Sequence, residues 1–482
     1  MSETNAAGGG PARLDRPLLT LVGVMVLGGM MSYLDATIVN VGISTLGGHF
    51  NATLASVEWI TTGYLLAVAL AIPLAGWAMV RFGAKRMWLL GLTLFLAGST
   101  LCAVAWNVES LIAFRVLQGL GGGMVDPIMM TVVAGAAGPA RIGRVMGLIS
   151  VPITLGPVVG PIVGGLLLEN LSWVWMFLVN IPFALAAIIL AVKVLPADPA
   201  PSGDPVPVDG LGIALLPPGF AAIVYALSQA GSEGFGSAKV IIGLVLGVVL
   251  FIGYVVHALR TDKAPLIDLR LFANKGFSAA VATMFLLGGG LFSLLFLLPL
   301  YYQQVHHHTV LESGLLLAPL GFGTLIGMPI AGKLADKFGA RQLVPLGALL
   351  IGAGALVFTQ SGADTSQAVL TVAQLAAGFG MGLVGAPTMG AVYRTVPGES
   401  VGGATGAVFI LNQIGASLGI AVVALIIQGG GEHAAPTDAS FSNAFWWAVA
   451  AAVVVFVAGL VLPGRAQPAA AETSPAPQPE SV

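Results

Sequence analysis

"GWAMVRFGAKR", residues 76–86, returns later in the chain as "GKLADKFGARQ", residues 332–342, with Gly76 on Gly332, Gly83 on Gly339 and Lys85 on Arg341. The two copies lie 256 residues apart. A second match, displaced by 259, carries Gly119, Gly121 and Gly123 onto Gly378, Gly380 and Gly382. The same displacement carries Gly147, Gly156 and Gly160 onto Gly406, Gly415 and Gly419. Three extra loop residues in the second half reconcile the two offsets. The chain is an internal duplication, and its halves run in the same direction.

What surrounds the repeats is apolar. Of 482 residues, 57% are hydrophobic and only 8% charged, and the mean hydropathy is +0.95. A soluble domain carries about a quarter charged residues. Sixty-six glycines suit a membrane bundle, where small residues let helices approach closely. A spanning helix needs about 20 mostly apolar residues, and fourteen such runs can be cut from the chain at its charges and Pro/Gly clusters. Six fall in an N-terminal bundle at 18–195. Two are inserted, with linkers, at 196–275, and six form a C-terminal bundle at 276–462. Residues 1–17 read as a polar leader and 463–482 as a disordered Pro/Ala-rich tail. Lys and Arg gather in cytoplasmic loops. With both termini cytoplasmic, Lys239 alone falls at an outer edge and Arg115 alone within a helix, among 19 basic residues. The expected class is all-α integral membrane, two parallel six-helix halves with two helices between them. A net charge of −2 gives no reason to expect nucleic acid. One cysteine, Cys102, cannot form an internal disulfide.

Intramembrane charges are where function is expected. Asp35 sits in "GGMMSYLDATIVNVGI", residues 28–43, with no other charge. An ionised carboxylate at a helix centre costs roughly 3 kcal/mol on insertion scales. The group escapes that cost by binding a proton, which makes it a site for a proton or a cation but not both. The bland alternative is a packing aspartate bonded to Ser32 or a neighbouring helix. Asp126 marks a break in the repeat, since its equivalent is Gly385, and it reads as a second protonatable or cation-recognising group. Arg115 needs a partner or must snorkel outward; Gln118 shares its face at i+3. Gln118, Asn412 and Gln413 are further candidates for substrate contact.

Gly156, Gly160 and Gly164 make one smooth helix face, and Pro157 and Pro161 remove backbone donors beside it. That pattern allows either a leak-resistant bent seam or ordinary small-residue packing. Gly76, Arg81, Gly83 and Arg86, with Gly332, Asp336, Gly339 and Arg341, suggest tight turns that fix basic groups as an inner gate, beyond what topology requires. "GMPIAGKL", residues 327–334, imitates a phosphate-binding loop but lacks the closing Ser/Thr and the strand–helix setting. No ATPase subunit is expected, so energy would come from an ion gradient, with no cofactor. The run His306, His307 and His308 reads as a wet loop, not a metal site.

"LDATIVNV", "GWAMVRFGAKR", "RVLQGLGGG" and "GPVVGPIVGG" occur in this order on the first, second, fourth and fifth predicted helices. In them the chain resembles the major facilitator superfamily, specifically its fourteen-helix drug:proton antiporter branch, over essentially its whole length. The resemblance implies proton-coupled efflux of lipophilic, cationic compounds across the cell membrane by alternating access, with no enzymatic step. Its partners would be protons, small lipophilic substrates and the bilayer. It implies coupling roles for Asp35 and Arg115, and antiport for the fifth-helix glycines. Val80 stands where the family's first loop usually has aspartate, whereas the second copy keeps Asp336. An exporter of a dedicated metabolite, antibiotic or lipid is the alternative, because fold does not fix substrate. A membrane scaffold would have no use for the buried charges.

Overall fold

The computed structural model describes residues 15–464 except 53, 139–140, 199–207, 262–264, 363, 398–399 and 429–437. Most of the expected leader, linker and tail lies outside the described residues. The side chains of Pro157, Pro161 and Asp336 also fall outside what is described.

Among the described residues the chain is helical throughout. The first half contains α1 (Arg16–Val41), α2 (Ile43–Phe50), α3 (Leu54–Phe82), α4 (Ala84–Ala103), α5 (Val108–Ala137), α6 (Ile142–Asn170), α7 (Trp175–Leu178) and α8 (Asn180–Val194). The inserted pair is α9 (Gly210–Glu233) and α10 (Ala238–Arg260). The second half contains α11 (Lys275–Gln304), α12 (Val310–Leu315), α13 (Ala318–Phe338), α14 (Ala340–Thr359), α15 (Gln367–Thr395), α16 (Val401–Gln428) and α17 (Asp438–Val461). Thirteen helical stretches are long and apolar enough to cross a membrane, and α6, 29 residues long, is the fourteenth long rod. Helices suit an apolar solvent because every backbone donor and acceptor inside them is paired. α10 leaves Ile241, Ile242, Val245, Val249 and Ile252 exposed along one side, a face that fits lipid tails.

The first predicted span, 18–43, is α1, and the chain continues as α2 after Gly42, on which the Met176 side chain packs. One predicted span is broken. The sixth is interrupted at Val179, which places Asn180 at the start of α8.

The duplication is visible in the packing. Gly121 lies against the backbone of Gly91 and Phe95, and its equivalent Gly380 lies against Gly347 and Ile351. Gly119 meets the Tyr64 carbonyl as Gly378 meets that of Leu320. Pro73 and Pro329, 256 residues apart, occur within α3 and α13. Gly83 (φ 94°) and Gly339 (φ 77°) occupy left-handed backbone at the paired turns, a conformation glycine adopts without a Cβ penalty. The halves meet by exchange: α6 packs on α13, and α16 packs on α3. In the second contact Gly76 touches Gly402, where an added Cβ would stand 2.7 Å from the Gly402 carbonyl oxygen.

Candidate functional site

α1 and α5 bring the predicted charges together. Asp35 and Arg115 are both fully buried, and Arg115 Nη1 donates to Asp35 Oδ2 at 2.5 Å. Gln118 Nε2 donates to Asp35 Oδ1 at 2.8 Å, and Asn180 Nδ2 donates to the same oxygen at 2.7 Å. Gln118 Oε1 accepts from Arg115 at 2.7 Å. Ser99 Oγ accepts from Gln118 at 2.6 Å and from Asn180 at 3.1 Å. The guanidinium also lies over the Tyr64 ring, 4.0 Å from its centroid, which adds a cation–π attraction. Arg115 does not snorkel. Its charge is answered inside the bundle, and the carboxylate's lone pairs are answered by three donors.

This surrounding is tighter than the open cavity that exchange at Asp35 calls for. Nor is Ser32 the partner: its hydroxyl is buried and reaches no partner among the described residues. A buried ion pair recovers its desolvation only when further hydrogen bonds satisfy the leftover lone pairs and protons. Asn180 and Ser99 supply those bonds, and sequence reasoning missed both. Asn180 was visible as a lone amide within the apolar "LVNIPF", residues 178–183.

Asp126 is the more open acid. Arg115, Gln118, Gly122 and Asp126 follow one another at intervals of three and four, so they share one stripe of α5. Asp126 is half-buried. Its Oδ1 has no partner among the described residues, while Tyr33 hydrogen-bonds the carboxyl. Gly29 of α1 faces it, with Met129 alongside. Tyr64 connects the two acids: its ring carries Arg115, and its hydroxyl abuts Gly122, midway along the stripe. Asp35, Arg115, Tyr64, Tyr33 and Asp126 thus form one polar column between α1, α3 and α5.

Among the described residues the second half has no such column. Gly156 packs on Tyr33 while its equivalent Gly415 packs on Phe285. Leu287 therefore stands in α11 where Asp35 stands in α1. Gln374 replaces Arg115 and donates to the Tyr302 hydroxyl at 2.7 Å. Leu286, Leu287, Gly290, Ile351, Met381 and Ala452 line a small apolar hollow among α11, α14, α15 and α17. The charged positions of the first half thus have uncharged counterparts in the second. Asn412 Nδ2 donates to the Met284 carbonyl at 2.7 Å, tying α16 to α11. Gln413, half-buried, is eleven residues along α16 from Gly402, three turns on the same face, which is turned to the first half.

The α6 glycines sit on α1. Gly156 meets Tyr33, Gly160 meets Thr37, and Gly164 meets Ile38; Thr37 Oγ1 also donates to the Gly156 carbonyl at 3.2 Å. The smooth face therefore brings α6 against the helix that carries Asp35.

At the α3–α4 turn, Val80 is exposed and contributes no acid. Asp198, after α8, supplies one: its oxygens accept from the backbone N–H groups of Lys85 at 2.8 Å and Arg86 at 3.0 Å. A carboxylate at a helix N-terminus is favoured by the free donors and the helix dipole. Lys85 Nζ completes the knot by donating to the Val192 and Leu195 carbonyls, both at 2.8 Å. Arg86, Lys337 and Arg341 are exposed and Arg81 half-buried, while Gly332 is buried within α13.

With this geometry in place, comparison with known proteins settles the family. The family model described as Major Facilitator Superfamily matches residues 25–420 and 321–481. A multidrug resistance protein B homolog of Mycobacterium tuberculosis is 40% identical over 86% of this chain and 77% of its own length. The tetracenomycin C resistance and export protein of Streptomyces glaucescens is 31% identical over 86% and 76%. The multidrug export protein EmrB of Haemophilus influenzae is 34% identical over 68% and 64%. Among solved structures, the human organic anion transporter MFSD10 superposes with a TM-score of 0.64 at 18% identity, covering 92% of this chain and 100% of that one. The proton:xylose symporter XylE gives 0.62 at 14% identity, covering 91% and 94%. The chain is a membrane transporter of the major facilitator superfamily and falls with that family's drug-efflux members.

Proposed function

We propose that this protein exports lipophilic, cationic compounds across the cell membrane in exchange for protons, by alternating access, with both termini cytoplasmic. The observation that carries the reading is the polar column: one acid paired to an arginine, and a second acid whose buried Oδ1 has no partner among the described residues, with Tyr64 between them. A carboxyl with an unanswered acceptor gains from either a proton or an organic cation, and a site that can hold only one of them exchanges them. Asp126 is the receiving group in this conformation. Protonation of Asp35 releases Arg115, and Arg115 and Gln118 then rearrange along the α5 stripe they share. Relatives named for multidrug resistance, tetracenomycin C resistance and export, and multidrug export support the export part of the reading. The test is efflux of a lipophilic cationic dye from cells, with and without a protonophore. Protein-dependent efflux that the protonophore abolishes supports the reading. Dye retention indifferent to the protein contradicts it and favours export of a dedicated metabolite or lipid.

A further inference from the structure

The inserted pair α9–α10 is not needed to build two six-helix halves, yet α9 packs on both α3 and α16, the two helices whose Gly76–Gly402 contact joins the halves. At one end of the pair lies a buried polar node that the transport site does not use. Asp209, 5% exposed, precedes α9 and caps it by accepting from Gly212 N at 2.9 Å. The same oxygen is bonded to His257 Nε2 of α10 at 2.6 Å. Its other oxygen accepts from Leu266 N at 3.3 Å. One carboxylate therefore ties α9, α10 and the strap at 265–268 together. Tyr254 adds a second tie. Its hydroxyl accepts from Ile267 N at 2.7 Å and donates to the Ile267 carbonyl at 2.9 Å.

The strap is held against something specific. Leu266 and Ile267 are buried in the cluster that contains Ala404, Ala407 and Val408 of α16. Their backbone lies against Gly403, where a methyl would stand 3.4 Å from the Leu266 carbonyl. Gly403 is the immediate neighbour of Gly402, whose other side receives Gly76. The first turn of α16 is therefore gripped between α3 and the strap.

We propose that Asp209, His257 and Tyr254 are positioning residues of the transport cycle: through the 265–268 strap they brace the first turn of α16 in the Gly76–Gly402 seam, and this is what the inserted pair does. The node touches no substrate. It sets how readily the seam opens. The proposal rests on the alternating-access reading above, and the two can fail separately.

The test is hydrogen–deuterium exchange by mass spectrometry on the full-length protein in lipid nanodiscs. Tyr254→Phe deletes both strap bonds while keeping the ring's packing, and His257→Phe deletes the link to Asp209. Each should speed exchange in 401–407 by about fivefold or more, with no change in α4 and α5. His257→Gln, which keeps a donor toward Asp209, should restore part of the protection. Unchanged exchange in 401–407 for both phenylalanine variants would overturn the brace. So would a rise spread evenly over α4 and α5, since the node would then hold the fold at large. A loosened seam in a protein that exports nothing would leave the brace standing and remove the transport reading. Export with an unaltered seam would do the reverse.

Discussion

Asp35 and Arg115 bury opposite charges beside one another, and each depends on the other. Removing one partner of such a pair costs about 3–5 kcal/mol, whereas replacing both with apolar groups is often neutral. Arg115→Ala should therefore abolish coupled efflux and also lower thermal stability in detergent by about that amount, while Arg115→Lys keeps part of both. The double variant Asp35→Leu with Arg115→Leu should recover stability without recovering transport. A double variant as unstable as the two single losses combined would show that the pair contributes more than mutual neutralisation. Asp126 predicts a different phenotype, because its Oδ1 is already unanswered. Asp126→Asn should be stable and should reduce export of cationic compounds more than of neutral ones, measured side by side in the same cells. Equal losses would remove Asp126 from cation recognition. Asp35, Arg115, Gln118 and Asp126 were legible because an apolar chain makes every internal charge conspicuous. Ser99, Tyr33 and Tyr64 were not, and Asn180 stood out only as a lone amide, since uncharged polar residues in a membrane helix become a network only once the helices meet.

At the scale of elements, glycine decides which helices touch. Gly76 and Gly402 are in backbone contact, and an added Cβ at Gly76 would stand 2.7 Å from a carbonyl oxygen that has nowhere to go. Gly76→Ala should therefore hold the α3–α16 seam apart. A spin-label pair across the ends of α3 and α16 should report a longer mean distance, and transport should slow. A distance distribution identical to the parent's would contradict the close-contact account. The repeat marked Gly76 by its equivalence to Gly332, but not Gly402, because a contact between the halves is not written in the spacing within either one. Asp198 could not be foreseen. It sits in a Pro/Ala-rich linker, and nothing in "LPADPA", residues 195–200, announces that it caps α4 across the bundle. Asp198→Ala should free the Lys85 and Arg86 N–H groups and cost about 1 kcal/mol, read from the thermal midpoint. Asp198→Asn should lose less, since it keeps one acceptor.

Across the whole molecule, the halves share a backbone plan but not a chemistry. Asp35, Arg115 and Asp126 have Leu287, Gln374 and Gly385 as their counterparts. One half buries charges, and the other has uncharged residues at the same places. The proposed exchange of a proton for a cation therefore rests on the first half. The direct measurement is uphill transport in proteoliposomes with an imposed proton gradient, joined to proton release on substrate binding by the purified protein. The parent should accumulate substrate against its gradient and release protons as substrate binds. Asp35→Asn should insert and fold with a lowered thermal midpoint, since Arg115 loses its carboxylate, and still bind, yet neither pump uphill nor release the parent's protons, with Asp35→Glu between the two. An asparagine variant that still pumps uphill with the parent's proton release would contradict the account.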